Sequence, residues 1–177
     1  MKRLFFLTYL FILGCVGIPD NITAVDGFDV KRYLGTWHEI ARLDHSFERG
    51  LSHVTAKYTL RDDGGIDVLN KGFDKETGKW KRAQGKAYLA GGPDVGRLKV
   101  SFFGPFYGAY NIIALDKENY SYALVCGLNR SYLWILARDK ELEKETLDNL
   151  IGMARDMGFR TDELIFVDHS EVSDAAS

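Results

Sequence analysis

Cysteine and proline are both scarce in this sequence: Cys15 and Cys126 are its two thiols, and three prolines are spread over 177 residues. So little cysteine leaves a fold that must stand without a disulfide framework. A helix needs ~20 apolar residues to cross a bilayer. The run "LFFLTYLFIL" (4–13) stops at ten. Basic stripes and blocks of like charge are missing too, which argues against a nucleic-acid partner. Gly-x-Ser-x-Gly, Cys-x-x-Cys and a phosphate loop are all absent from the sequence. His38, His45 and His53 recur at spacings of seven and eight, unlike the i, i+4 pair of a helical metal site. No catalytic residue, metal or cofactor is expected, and the chain does not read as an enzyme.

What is present points to strands. Eighteen glycines and 13% aromatics, with so few prolines, favour many strands joined by tight glycine turns. At 46% apolar and 27% charged, the composition is that of a soluble globular protein, and the length fits one domain. "VTAKYTL" (54–60) alternates cleanly, with Val54, Ala56, Tyr58 and Leu60 on one face. "RDDGG" (61–65) supplies a hairpin turn, and "IDVLNKGF" (66–73) returns. "AQGKAYLA" (83–90) pairs with "RLKVSFF" (97–103), and "YNIIALD", "YSYALVCG" and "YLWILARD" follow. With Trp37–Leu43 first, these make eight strands, nearly all linked in sequence. The expected fold is therefore all-β with one helix: an eight-stranded antiparallel up-and-down barrel, closed so that no edge is left to aggregate. Leu147, Leu150, Ile151 and Ala154 fall at i, i+3, i+4, i+7 within 141–158, a one-faced C-terminal helix ended by Gly158 and packed outside. "ELIFV" (163–167) adds a short strand.

The N-terminus reads separately. Lys2 and Arg3 precede the apolar run, as in a secretory signal peptide. The run ends in "ILGC" (12–15), which resembles the bacterial lipobox, although Leu13 is bulkier than the usual second residue. That resemblance implies cleavage after residue 14 and an acylated Cys15 as mature N-terminus. Two or more acyl chains anchor a protein firmly. Val16 follows in place of the Asp that retains such proteins at the inner membrane, so the resemblance implies the outer membrane, facing the periplasm. Without Lys2 and Arg3 the 23 basic side chains fall to 21 against 25 acidic, a formal −4. Cys126, left unpaired in the apolar run "YALVCG", is expected to be buried. The division is signal peptide 1–14, lipidated N-terminus and tether 15–26, barrel domain 27–168 and flexible tail 169–177.

"GTWHEIAR" (35–42) resembles the first signature of the lipocalin family, Gly-x-Trp. "NYSYALV" (119–125) resembles the second and "YLWILARD" (132–139) the third. The three stand in order, with a helix after them as in the family. "KRYLGTW", "SFERG", "NKGF" and "KVSFFGPFYGAYN" look closest to bacterial outer-membrane lipocalins related to apolipoprotein D. The resemblance implies that Trp37 seals one end of the barrel and that the Arg138 guanidinium lies over its indole. Gly35 is expected to turn where a side chain would clash. These three positions read as structural.

With Arg138 inward, period two turns Leu136, Trp134 and Tyr132 inward as well. The apolar sets of the other strands add Ala56 and Tyr58; Ile66, Val68 and Asn70; Ala83, Gly85 and Ala87; Leu98, Val100 and Phe102. An eight-stranded barrel is either filled by side chains or holds one small ligand. The small residues Ala83, Gly85 and Ala87 favour a cavity, although aromatics from opposite strands could fill the gap. Phe106 and Tyr107, in the link near the open end, read equally as gates on a ligand tail and as a patch for a homodimer. Glu39 shares the inward parity of Trp37 and reads as one half of an ion pair. His45 reads as a solvated loop histidine near the mouth. The expected function is storage or transport of a fatty acid or lysophospholipid by a membrane-tethered lipoprotein. Two other readings stay open: a filled barrel acting through its surface, and a barrel that binds a pigment or haem.

Overall fold

A computed structural model describes residues 16–170. Cys15, the signal-peptide segment and residues 171–177 lie outside the described residues. Eight strands form one antiparallel ring: β1 (Gly35–Arg42), β2 (Leu51–Leu60), β3 (Ile66–Asp74), β4 (Lys79–Leu89), β5 (Arg97–Phe103), β6 (Phe106–Leu115), β7 (Tyr122–Cys126) and β8 (Leu133–Ala137). Each pairs with the next, and β1 closes the ring by pairing with both β8 and β2. The expected barrel is the observed one. β2, β4 and β6 start earlier than expected, at Leu51, Lys79 and Phe106, while β7 and β8 are shorter than the expected runs. The β5–β6 link therefore shrinks to Gly104 and Pro105.

Alternation sorts the apolar side chains into two cores. One lies inside the barrel and includes Trp37, Tyr58, Val68, Leu98, Ile112, Val125 and Leu136. The other takes the opposite faces of β6, β7 and β8, with Ile113, Leu124, Leu133 and Ile135. Helix α2 (Lys144–Asp156) covers it, burying Leu150 and Ala154 and packing Leu147 and Ile151 alongside. Gly158, at φ +83°, ends the helix as expected. Cys126 is buried in this outer core, and burial pushes its thiol up to about 12, which keeps it protonated and inert.

Residues 16–26 do not hang as a loose tether. Val25 N–H donates to Ile112 O (2.9 Å), and Gly96 N–H donates to Val25 O (2.8 Å). Asn111 Nδ2 donates to the carbonyls of Gly17 and Gly127, both at 3.1 Å, and Arg130 Nη2 donates to Asp20 O at 2.7 Å. Ile22 is buried under α2. The segment is thus a strap along the barrel wall. The start of the expected tail is also held: His169 Nε2 lies 2.7 Å from Glu39 O. Just before it, β9 (Ile165–Phe166) pairs with Ala41 and Arg42 of β1.

The closed end is plugged by aromatics. The four-residue helix α1 (Val30–Tyr33), capped by the Asp29 side chain on Lys31 N–H, carries Tyr33 across the barrel floor. Tyr33 stacks on the fully buried Trp37 at 4.6 Å, and the indole N–H donates to Tyr33 O at 2.8 Å. Arg138 lies on the other side of the indole, its Cζ 4.0 Å from the ring. Its N–H groups also donate to the carbonyls of Tyr120, Thr36 and Arg32. Gly35 has φ +97°, and a Cβ there would sit 3.2 Å from Arg138 Nη1, so both conformation and space select glycine. Arg138→Ala removes the stack and leaves three carbonyls without their donor. It is expected to cost about 2–4 kcal/mol, read as a lowered urea midpoint with the far-UV spectrum retained.

Candidate binding site

The strand order puts the β1–β2, β3–β4, β5–β6 and β7–β8 connections at one end of the barrel, opposite the plug. The space below this open end is lined by two unlike walls. On β3, β4 and β5 the inward side chains include Val68, Ala87, Leu98, Val100 and Phe102. On β1, β8 and the β1–β2 loop they include Glu39, Arg42, His45, Glu48 and Trp134.

A single irregularity builds the polar wall. The register of β1 against β8 shifts between Glu39 and Ala41. Ile40 and Ala41 turn to the outer core, and Arg42 joins Glu39 inside, three residues apart instead of two. Strict alternation would have placed Arg42 outside. Its Nη1 donates to Glu39 Oε1 at 2.7 Å, and its Nη2 donates to Glu48 O at 2.8 Å, which draws the loop inward. Glu48 then points into the barrel. Trp134 Nε1 donates to Glu48 Oε2 at 3.0 Å. His45 Nε2 is 2.9 Å from the same oxygen. Phe47 stacks on the His45 ring at 4.0 Å. His45 is therefore buried, not the solvated loop histidine expected.

These charges perturb one another. Burial holds the Glu39 carboxyl well above the usual carboxylate range; the negative charge of Glu48 adds to this, and Arg42 opposes it. Burial also disfavours the Glu48 anion, but His45, Trp134 and Arg42 outweigh it and keep this carboxyl low. The pair thus divides: burial favours a proton on Glu39, while its partners disfavour one on Glu48. Two buried atoms of the cluster, Arg42 Nε and His45 Nδ1, have no protein partner.

At the floor, Tyr33 and Tyr58 both reach the hydroxyl of Tyr110, at 2.7 and 2.9 Å. Burial raises all three phenols, so each keeps its proton. Three hydroxyl protons serve two hydrogen bonds. One O–H is left to donate to whatever occupies the barrel.

The expected lining residues divide. Ala56, Asn70, Val100, Phe102 and Trp134 face inward and stay half-exposed, and Ala83 is exposed; Tyr110, which was not among the expected residues, is half-exposed on the same inner side. Asn70 Oδ1 has no partner. Tyr58, Val68 and Ala87 are buried, and a Cβ on Gly85 would meet the Phe102 ring at 2.8 Å. Two of the three small residues thus make room for neighbouring side chains and leave no gap. The cavity reading therefore rests on the half-exposed set. Phe106 stands at the rim, 69% exposed. Tyr107 points outward, under Lys99 (5.2 Å) and beside Tyr88, because its parity is opposite to that of Tyr110, and this removes it from the gate. Tyr132 precedes β8 on the mouth loop and stacks beside Trp134 at 6.1 Å. His38 projects outward toward His169, as its parity requires. Arg42 and Glu48 were not legible from alternation; only the place of Arg42 at the end of "GTWHEIAR" and of Glu48 within "SFERG" marked their segments.

The Lipocalin-like domain family matches residues 28–169. The chain is 53% identical to the outer membrane lipoprotein Blc of Vibrio cholerae serotype O1 over 168 residues, covering 94% of this chain and 98% of that protein. It is 55% identical to the outer membrane lipoprotein Blc of Escherichia coli K12, covering 84% of each. Apolipoprotein D of Mus musculus is 32% identical over 84% of this chain and 81% of its own. Among solved structures, insecticyanin of the tobacco hornworm Manduca sexta superposes with a TM-score of 0.71 at 24% identity, covering 88% of both chains. The three signatures, the closed eight-stranded ring with its outer helix, and these likenesses agree: the chain belongs to the lipocalin family.

Proposed function

We propose that this protein is an outer-membrane lipoprotein, anchored through Cys15, whose barrel stores or carries a fatty acid or lysophospholipid and performs no chemistry on it. The single observation behind this is the pairing of an apolar wall (Val68, Val100, Phe102) with a polar one (Arg42, Glu48, Trp134) below one mouth. Such a space suits a molecule with a tail and a head. The names of the Vibrio and Escherichia relatives support the location.

Each buried CH₂ contributes ~0.8 kcal/mol, so a tail of ~14 carbons offers roughly 11 kcal/mol gross. Lost translational freedom and side-chain ordering take back part of this. A micromolar dissociation constant, about −8 kcal/mol, is the expected scale. A filled barrel acting through its surface is the competing reading, and it draws on the packing of Phe102 over Gly85.

Two measurements test the proposal. Delipidated protein titrated with lysophospholipid should give a saturable change in Trp emission, because Trp134 lines the site. Ala83→Trp, at an open inward-facing position, should abolish that response while changing stability by no more than about 0.5 kcal/mol. No saturable response in the wild type would leave the filled barrel standing.

A separate expectation concerns Glu39, whose carboxyl burial holds above the usual range. A carboxyl whose pKa is raised by folding contributes stability fully below its unfolded value of about 4.3 and loses it as pH rises through the folded value. Glu39→Gln cannot ionise. Wild-type stability should therefore fall relative to Glu39→Gln as pH is raised from about 4 upward, read from urea midpoints across a pH series.

A further inference from the structure

Nine large apolar side chains stand exposed among the described residues, and they are unevenly placed. Phe47 lies on the β1–β2 loop, Trp80 near the start of β4, Phe103 and Phe106 on either side of the β5–β6 turn, and Leu128 on the β7–β8 loop. All five belong to the open end, whereas Leu60 alone belongs to the closed end. Phe103 is 82% exposed and Phe47 60%. Three of the four connections at the mouth thus carry a projecting apolar group.

Charge follows the same axis. Around the β3–β4 turn, Lys75, Lys79, Lys81 and Arg82 outnumber Asp74 and Glu76. Lys75 and Lys81 are bridged to Asp168 and Asp74, while Lys79 and Arg82 stand exposed. At the closed end the balance reverses: Asp62, Asp63 and Asp67 surround Arg61, and Asp116 and Glu118 flank Lys117.

The strap supplies the third observation. Its first described residues lie against the mouth connection that carries Leu128: a Cβ on Gly17 would come 3.1 Å from Leu128 Cδ1. Asn111 ties Gly17 O to Gly127 O, and Arg97 Nη2 donates to Val16 O at 3.0 Å. Cys15 is the next residue, and consecutive Cα atoms are about 3.8 Å apart. Acyl chains on Cys15 would therefore enter the bilayer within one residue of a point held against the β7–β8 connection, one of the four at the open end.

We propose that the rim docks on the lipid surface in which Cys15 is anchored. Phe47, Phe103 and Phe106 enter the acyl boundary, Lys79 and Arg82 meet anionic head groups, and the mouth opens toward lipid. This rests on the anchored, lipid-binding reading above. Amphipathic surfaces of this kind settle at the boundary between head groups and acyl chains and favour anionic lipid.

The mature lipidated chain would be reconstituted into vesicles of phosphatidylethanolamine with a minority of phosphatidylglycerol, the acyl chains brominated. Emission from Phe103→Trp, corrected for the native tryptophans, should be quenched about twofold. Emission from Leu60→Trp at the opposite end should be unchanged. Equal quenching of the two, or none at the rim, overturns the docking. Cross-linking of rim to rim without quenching would assign the face to a second copy and overturn it equally. In the unlipidated Cys15→Ser protein, Phe103→Ser should abolish the weak, salt-sensitive vesicle binding and leave the lysophospholipid titration in solution intact. The mass of the N-terminal peptide and that titration report on anchoring and cargo independently. Failed quenching with both intact counts against the docking alone, and an unacylated Cys15 overturns the docking together with the anchor.

Discussion

The architecture turns on one strand having to satisfy three partners. β1 pairs with β2 over Gly35–His38, with β8 over His38–Arg42, and with β9 over Ala41 and Arg42. A regular strand has two edges and can serve two neighbours along its whole length. The shift between Glu39 and Ala41, matched by an irregularity between Ser52 and Thr55 in β2, parts β1 from β2 toward the mouth. β9 takes the edge so released, pairing with Ala41 and Arg42, and Val167 N–H donates to Ile40 O. The same shift rotates Arg42 inward. The docking of β9 on β1 and the polarity of the interior thus follow from the same irregularity.

Placing charge inside a small barrel is costly unless each charge is answered. Here the answer is local: Arg42 is met by Glu39 and by two backbone carbonyls, and Glu48 by Trp134 and His45. The shifts of the two carboxyls run in opposite directions, Glu39 up and Glu48 down, which limits the repulsion between them. The cluster also fixes the β1–β2 loop, because the Glu48 carbonyl is an Arg42 acceptor. The loop that shapes the mouth is therefore held from within, while its Phe47 faces out.

The sequence revealed a good deal of this, unevenly. Strand count, connection order and the face of α2 follow from period-two and period-3.6 patterns, and those patterns survive in the structure because each element has one buried side. The plug followed from Gly35, Trp37 and Arg138. Arg42 was hidden because a bulge inverts parity without leaving any residue type as a marker. Tyr107 was misplaced because "FFGPFYGAY" resembles a loop, although β6 runs through it and sends the odd residues outward. The strap at 16–26 has no periodicity: it is held by Asn111, Arg97 and Arg130, residues distant in sequence, and by a single ladder contact at Val25. Gly85 and Ala87 look like empty volume in a sequence, where the Phe102 ring that fills it is invisible.

The plug of Tyr33, Trp37 and Arg138 makes the vessel a cup, not a tube. Whatever enters must leave by the way it came, so loading and discharge compete for one doorway and the fold imposes no direction of travel. Net flow from one place to another would have to come from a difference in supply at the doorway itself, as with a bucket filled and emptied over the same lip.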